Sequence, residues 1–249
     1  MQRVDAPEIL DSDACSPREA QAVLTVLGRV NRWFGGVATT QKMVSRVAQS
    51  AGVKQLSLLE VAAGSGEVPV LVRHKLARRG IELDVTLLDL AHCHLPSGEC
   101  AAGSNAKHNP RIVGDALRLP FKDGAFDVVS CSLFVHHLHP QQVQQFVREA
   151  LRVSRRAVLM NDLVRHPLHF AAAYAGFPIM LNRVAWLDGL TSVRRAYVPK
   201  EIEGMLASDV FETPVRLEIS RHFLYRMAVI AWKTPIGKND PSNEPPTLL

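Results

Sequence analysis

The stretch Leu58-Leu59-Glu60-Val61-Ala62-Ala63-Gly64-Ser65-Gly66-Glu67 reads as an apolar strand that runs into a glycine turn and then a helix. Glycine has no Cβ, so such a turn lets the backbone approach a ligand closely. At the carboxyl edge of a parallel sheet this is where nucleotide-like ligands lie. Two glycines also make a tight strand-to-helix turn without any ligand, so the stretch by itself leaves both readings open. A pyrophosphate-binding loop needs a third glycine, and its position here is Pro69, which argues against a nicotinamide cofactor.

Outward from this turn the chain alternates short apolar runs with amphipathic stretches. Strands are expected at 56–62, 84–88, 111–113, 126–133 and 156–161, with helices at 67–79 and 141–151 between them. That alternation implies βαβ units and a mostly parallel sheet. Two closely spaced strand-like runs, Val215–Ser220 and Phe223–Trp232, predict a hairpin that adds an antiparallel edge. Helices are expected at 18–29 and 40–51, on either side of Asn31-Arg32-Trp33-Phe34-Gly35-Gly36. The 163–208 segment is too long for a plain connection and is read as an inserted helical cap. The domain reading is therefore an N-terminal helical lid over 1–54, one α/β domain over 55–233 carrying the cap, and a disordered tail over 234–249, rich in proline.

Composition narrows the function classes. The 249 residues are 47% hydrophobic and 21% charged, as in an ordinary globular chain able to bury a core. The net charge is +5, but the pairs Arg78-Arg79, Arg155-Arg156 and Arg194-Arg195 are scattered, so the charge does not favour nucleic acid as partner. Four cysteines, at 15, 93, 100 and 131, form no CxxC pair and no regular framework, which points to a reducing compartment. Residues 1–8 lack the features of a secretory leader. The longest nearly apolar stretch, 168–181, falls short of the ~20 residues of a membrane span. A cytoplasmic protein without stable membrane insertion, monomeric or homodimeric, is expected.

Two further acids extend the ligand reading. Asp89 closes the second strand, where a carboxylate can accept both hydroxyls of a ribose. Asp115, in Gly114-Asp115-Ala116, can accept from an adenine amino group, or can be a turn residue only. Together, Glu60-x-Ala62-x-Gly64-Ser65-Gly66, Asp89, Gly114-Asp115-Ala116 and the run from Phe126 through Ser132-Leu133-Phe134-Val135-His136-His137-Leu138 resemble the class I S-adenosylmethionine-dependent methyltransferases. The resemblance covers about 56–232. It implies a Rossmann-like seven-stranded sheet, mostly parallel with an antiparallel last strand, and S-adenosylmethionine as cofactor with S-adenosylhomocysteine as product. It also implies roles: Glu60 orients the methionine amino group through the loop of Ala62, Gly64 and Gly66, Asp89 with Leu90 holds the ribose, Asp115 and Ala116 read adenine, and Ser132 lines the cofactor site. Two departures stand out. Ala62 occupies a position where the family has glycine, and Pro96, Gly98 and Gly103 interrupt the helix expected after Asp89.

Methyl transfer is an in-line displacement from a sulfonium, so alignment and exclusion of water matter most, with a base only where the acceptor loses a proton. His136, His137 and Asp162 follow the fourth and fifth strands and are the catalytic candidates, the imidazoles serving either as base or as helix cap and pocket wall. Trp33 and Phe34 either close over the sulfonium by cation–π attraction or pack on the sheet edge. Phe134, Tyr174 and Phe177, with the apolar cap, suit a small aromatic or polyketide-like lipophilic acceptor. The spacing of His92-Cys93-His94, Cys100 and His108 matches no closed zinc motif, and no metal is expected. Arg194-Arg195 reads as solvated cap charge, or as a hold on an acidic substrate group. The other functions the sequence leaves open are a binding protein of this fold without catalysis, and an RNA methyltransferase.

Overall fold

A computed structural model describes residues 1–10, 17–91, 109–176, 182–207, 211 and 215–233. Phe177, the histidine–cysteine segment 92–108 and the tail from 234 lie outside the described residues.

Seven strands form one sheet: β1 (Gln55–Val61), β2 (Glu82–Asp89), β3 (Arg111–Val113), β4 (Phe126–Ser132), β5 (Ser154–Leu163), β6 (Arg216–His222) and β7 (Arg226–Trp232). Their order is β3-β2-β1-β4-β5-β7-β6. The pairs from β3 through β5 are parallel, and β7 runs antiparallel to both of its neighbours, β5 and β6. The fold is the Rossmann-like methyltransferase fold, as the family resemblance implied. The chain reverses direction after β1, passing to β2 and β3 on one side and to β4 and β5 on the other. The carboxyl ends of β1 and β4 thus flank a topological switch point, where open α/β sheets bind ligands.

The central strands are apolar on both faces because helices cover both. Leu58 and Val128 pack with Val44 and Val47 of α2 (Gly36–Ala51) and with Val72 and Leu76 of α3 (Glu67–Ala77). Leu59 and Val129 point the other way, toward Val143, Phe146 and Val147 of α4 (Pro140–Val153). Successive strand residues therefore serve opposite layers, which explains why β1 and β4 read as continuous apolar runs.

Four further helices are among the described residues. The long α1 (Pro17–Trp33) precedes α2, and α5 (Pro167–Ala175), α6 (Arg183–Arg195) and the short α7 (Pro199–Met205) lie between β5 and β6. Arg226, at the start of β7 and only 1% exposed, holds the α1–α2 corner to the sheet. It donates to the Phe34 carbonyl at 2.8 Å, to Asn31 Oδ1 at 2.7 Å and to Asn161 Oδ1 at 3.2 Å. Asn161 in turn donates from Nδ2 to the Gly36 carbonyl at 2.8 Å and to Thr40 Oγ1 at 2.9 Å.

Several boundaries differ from the sequence reading. The last strand begins at Arg226 rather than Phe223, because 223–225 make the hairpin turn, with Leu224 at φ 55° and Tyr225 at φ 57°. Neither is the glycine or asparagine that usually announces such a turn. The second helix starts at Gly36 rather than Thr40, since Gly35 at φ 82° turns the chain tightly after α1.

Candidate active site

The glycine turn joins β1 to α3 with three residues in the left-handed region: Ala62 at φ 52°, Gly64 at φ 52° and Gly66 at φ 67°. At Gly66 a Cβ would come within 2.5 Å of Leu87 Cδ1, so this glycine is required by space as well as by φ. Ala62 is the costly member, because a side chain at positive φ crowds its own carbonyl. The turn is pinned by Asp89, whose Oδ2 accepts from Gly64 N–H at 2.8 Å and whose Oδ1 accepts from Ala91 N–H at 3.0 Å. A further backbone bond runs from Ala63 N–H to the Leu88 carbonyl at 3.0 Å.

These residues border one cavity of about 800 Å³, toward the upper end of the ~300–1,000 Å³ usual for small-molecule sites. Glu60, Ala62, Gly64, Asp89, Leu90, Asp115, Ala116 and Ser132 all line it, whereas Gly66 sits behind the turn and shapes it from outside the lining. Glu60 is buried and accepts from the Ser130 hydroxyl. Burial pushes its carboxyl up to about 7 against the pull of the Ser130 and Ser132 hydroxyls. Among the described residues this carboxylate has no cationic partner, and the cavity is where one would come from. Asp115 is exposed at the rim and accepts from Leu117 N–H at 2.8 Å.

The opposite wall is built around two histidines on the single 3₁₀ turn Val135–His137. His136 is buried between carboxylates. Its Nδ1 lies 2.6 Å from Asp162 Oδ1, and its own N–H donates to Asp162 Oδ2 at 3.0 Å. Its Nε2 faces Glu8 Oε1 at 3.4 Å. Burial opposes charge on the ring, yet Asp162 and then Glu8 hold it up to about 9. His136 thus carries its proton at neutral pH. His137 stacks beside it, ring centroids 4.3 Å apart, with Nε2 3.7 Å from Glu8 Oε2. Both histidines line the cavity; Asp162 lies behind His136, outside the lining.

The expected acceptor residues are placed unevenly. Phe134 lines the cavity and packs edge-on against Phe146. Trp33 is 65% exposed and Tyr174 61% exposed, and neither Trp33, Phe34 nor Tyr174 is among the lining residues. Tyr174 leans on Trp186 instead, and Phe34 contributes its carbonyl to Arg226. Leu10, Leu27, Leu138 and Val193 supply apolar wall.

Residues 59–159 match the family model described as a methyltransferase domain. Over that stretch the chain carries a methyltransferase domain, in keeping with the resemblance to class I S-adenosylmethionine-dependent methyltransferases. Among curated proteins, a stretch of 145 residues is 32% identical to the ubiquinone/menaquinone biosynthesis C-methyltransferase UbiE of Roseobacter denitrificans, covering 51% of this chain and 55% of that protein. The demethylmenaquinone methyltransferase of Thermotoga maritima is 26% identical over 171 residues, covering 62% and 69%. The chain spans about half the length of most of the curated relatives it matches. Among solved structures, the plantazolicin methyltransferase BpumL superposes with a TM-score of 0.65 at 13% identity, covering 88% of this chain and 91% of that one, a likeness of fold.

Four residues of this methyltransferase site escape a reading of motifs. Glu8 reaches the histidines on a strap formed by residues 1–10, and its Oε1 accepts from Ser192 Oγ at 2.7 Å. Asp188 fastens the strap by accepting from Ile9 N–H at 2.7 Å and Leu10 N–H at 3.0 Å. Arg195 is buried rather than solvated: it donates to the carbonyls of Ala6 at 2.9 Å, His136 at 3.2 Å and His137 at 2.8 Å. Arg3 bonds the Arg195, His136 and Leu138 carbonyls at 2.7, 3.1 and 3.1 Å. The one available signal was the placement of Asp188 and Ser192 four apart on a helix, which puts both on one face.

Proposed function

We propose that this chain transfers the methyl group of S-adenosylmethionine to oxygen or carbon of a small, lipophilic, aromatic or polyketide-like acceptor. The observation that carries the reading is the convergence of Glu60, the Ala62–Gly66 turn, Asp89 and Asp115 on one cavity whose far wall is apolar apart from the histidine corner. The residues fit the cofactor by chemistry. Buried Glu60, with no cationic partner among the described residues, suits an ammonium group, Asp89 places a carboxylate at the cavity where ribose hydroxyls would lie, and Asp115 with Ala116 borders the adenine end. When bound, the cofactor supplies an activated methyl group. The chain orients both partners, excludes water through α1, α5 and α6, and sets the acceptor's reacting atom beside His136 and His137.

In that corner Asp162 acts as a positioning residue. It fixes the His136 ring through Nδ1, and the charged ring is not a base toward the acceptor. The names of the curated relatives, which act in quinone biosynthesis, support the class of acceptor. The test is calorimetry with S-adenosylmethionine, followed by a screen of phenolic, quinol and polyketide acceptors with methyl-labelled donor. Micromolar binding and a labelled product are expected. A folded protein that fails to bind at millimolar cofactor would defeat the reading. A second reading, a binding protein without catalysis, is favoured by the clamping of His136 between two carboxylates, and any labelled product removes it.

A further inference from the structure

We infer that Glu8, His136 and His137 form a binding site for one divalent transition-metal cation, opening into the cavity. Among the described residues these three bring a carboxylate oxygen and two imidazole nitrogens within 4.8 Å of one another. His136 Nε2 is buried, makes no well-formed hydrogen bond, and is aimed at this cluster. Its 3.4 Å distance from Glu8 Oε1 is what two ligands of one tetrahedral ion show, since bonds of about 2.0–2.2 Å at a tetrahedral angle place ligand atoms ~3.4 Å apart. The 3.7 Å from His137 Nε2 to Glu8 Oε2 needs only a small rotation of the half-buried ring.

The surroundings are those of a metal ligand set. The Nδ1 of His136 faces Asp162 at 2.6 Å, the carboxylate–histidine arrangement that keeps a proton on Nδ1, so that Nε2 binds the ion as its own proton is released to solvent. Glu8 is oriented by Ser192 Oγ at 2.7 Å, and the peptide carbonyls of both histidines are held by Arg195. Two histidines and one carboxylate leave a coordination position open, and all three ligands line the cavity, so that position faces an acceptor. On the methyltransferase reading, an acceptor hydroxyl bound there would lose its proton to solvent more readily and attack the methyl carbon as an oxyanion. Metal binding itself does not depend on that reading.

The experiment is zinc titration calorimetry on the full chain after chelator treatment, with cobalt as a spectroscopic probe. S-adenosylmethionine affinity is measured in the same preparations. One equivalent of zinc and a visible absorption band typical of nitrogen-ligated, four- or five-coordinate cobalt are expected. Glu8→Gln and His137→Ala should each weaken zinc by at least 100-fold, and Asp162→Asn by about 10- to 100-fold. Circular dichroism should show both of the first two variants folded without metal, and their cofactor affinity should persist. Failure of the wild type to bind stoichiometric zinc overturns the inference, as does zinc affinity unchanged in both Glu8→Gln and His137→Ala. Cofactor binding without zinc binding would leave the methyltransferase reading standing, and the reverse result would leave the metal site.

Discussion

Glu60 carries the sharpest residue-level expectation, because burial pushes its carboxyl up to about 7. The cofactor's ammonium group favours the carboxylate, so binding must first strip the proton. Affinity should therefore fall roughly tenfold from its plateau as pH drops to 6, one unit below the pKa. Calorimetry across pH checks this, and Glu60→Gln should flatten the profile. The sign for stability is opposite. A carboxyl raised from 4.5 to about 7 makes the folded chain the better proton binder, so the empty protein loses stability as pH rises through that window. Ala62 gives a second expectation. The left-handed conformation costs a side chain ~1–2 kcal/mol, and glycine's extra freedom in the unfolded chain returns about 0.5–1 kcal/mol of that, so Ala62→Gly should stabilise by about 0.5–1 kcal/mol in urea denaturation. A loss of stability would show that the Cβ packs usefully. At this scale Glu60, Asp89 and Asp115 were legible, because each lies at or just beyond the carboxyl end of a strand. The clamping of His136 was not, because Glu8 and Asp162 come to it from 128 and 26 residues away in the chain.

At the scale of elements, the hairpin between β6 and β7 places two ordinary residues at positive φ. They are not equivalent. Tyr225 stacks on His166 and His169 at 4.8 and 5.2 Å and receives Val164 N–H on its carbonyl at 2.7 Å, whereas no aromatic contact or backbone bond of this kind holds Leu224. Leu224→Asn should stabilise the chain by about 0.5–1 kcal/mol, since asparagine tolerates this conformation better. Tyr225→Gly should destabilise it through the lost stacking. Thermal melts of the two variants moving in opposite directions would bear this out. The strands of the parallel core were readable from their apolar runs, being buried on both faces. The turn was not, since its cost is met by packing rather than by residue choice.

For the molecule as a whole, Arg226 joins parts that the sequence reading kept apart. Its guanidinium spans α1, the corner before α2, and β5, and burial lowers its pKa to about 10 with Asp162 pulling it back up. Arg226→Met would leave the Phe34, Asn31 and Asn161 acceptors without their donor. We expect a loss of about 3 kcal/mol or more by urea denaturation, together with weaker cofactor binding, because α1 roofs the cavity. If stability held, the α1–α2 corner would have to be secured by apolar packing instead. The seven-stranded sheet with its antiparallel last strand was implied by the family resemblance and the closely spaced hairpin runs, whereas the strand order was not read, since it depends on where each crossover packs. The strap of residues 1–10 did not follow, because nothing in its composition marks a segment that binds 180 positions downstream.

The strap also fixes a sequence of events in time. Glu8 emerges from the ribosome early, but Ser192, which orients it, lies 184 residues further on, and Asp188 and Arg195 are made equally late. The sheet from β1 to β5 precedes α6 in the chain, so it can pair while the strap still lacks the bonds to Asp188, Ser192 and Arg195 that fasten it. The arrival of α6 thus decides when the strap settles, and chains halted before α6 should expose the histidine corner to any metal-scavenging or proteolytic agent nearby.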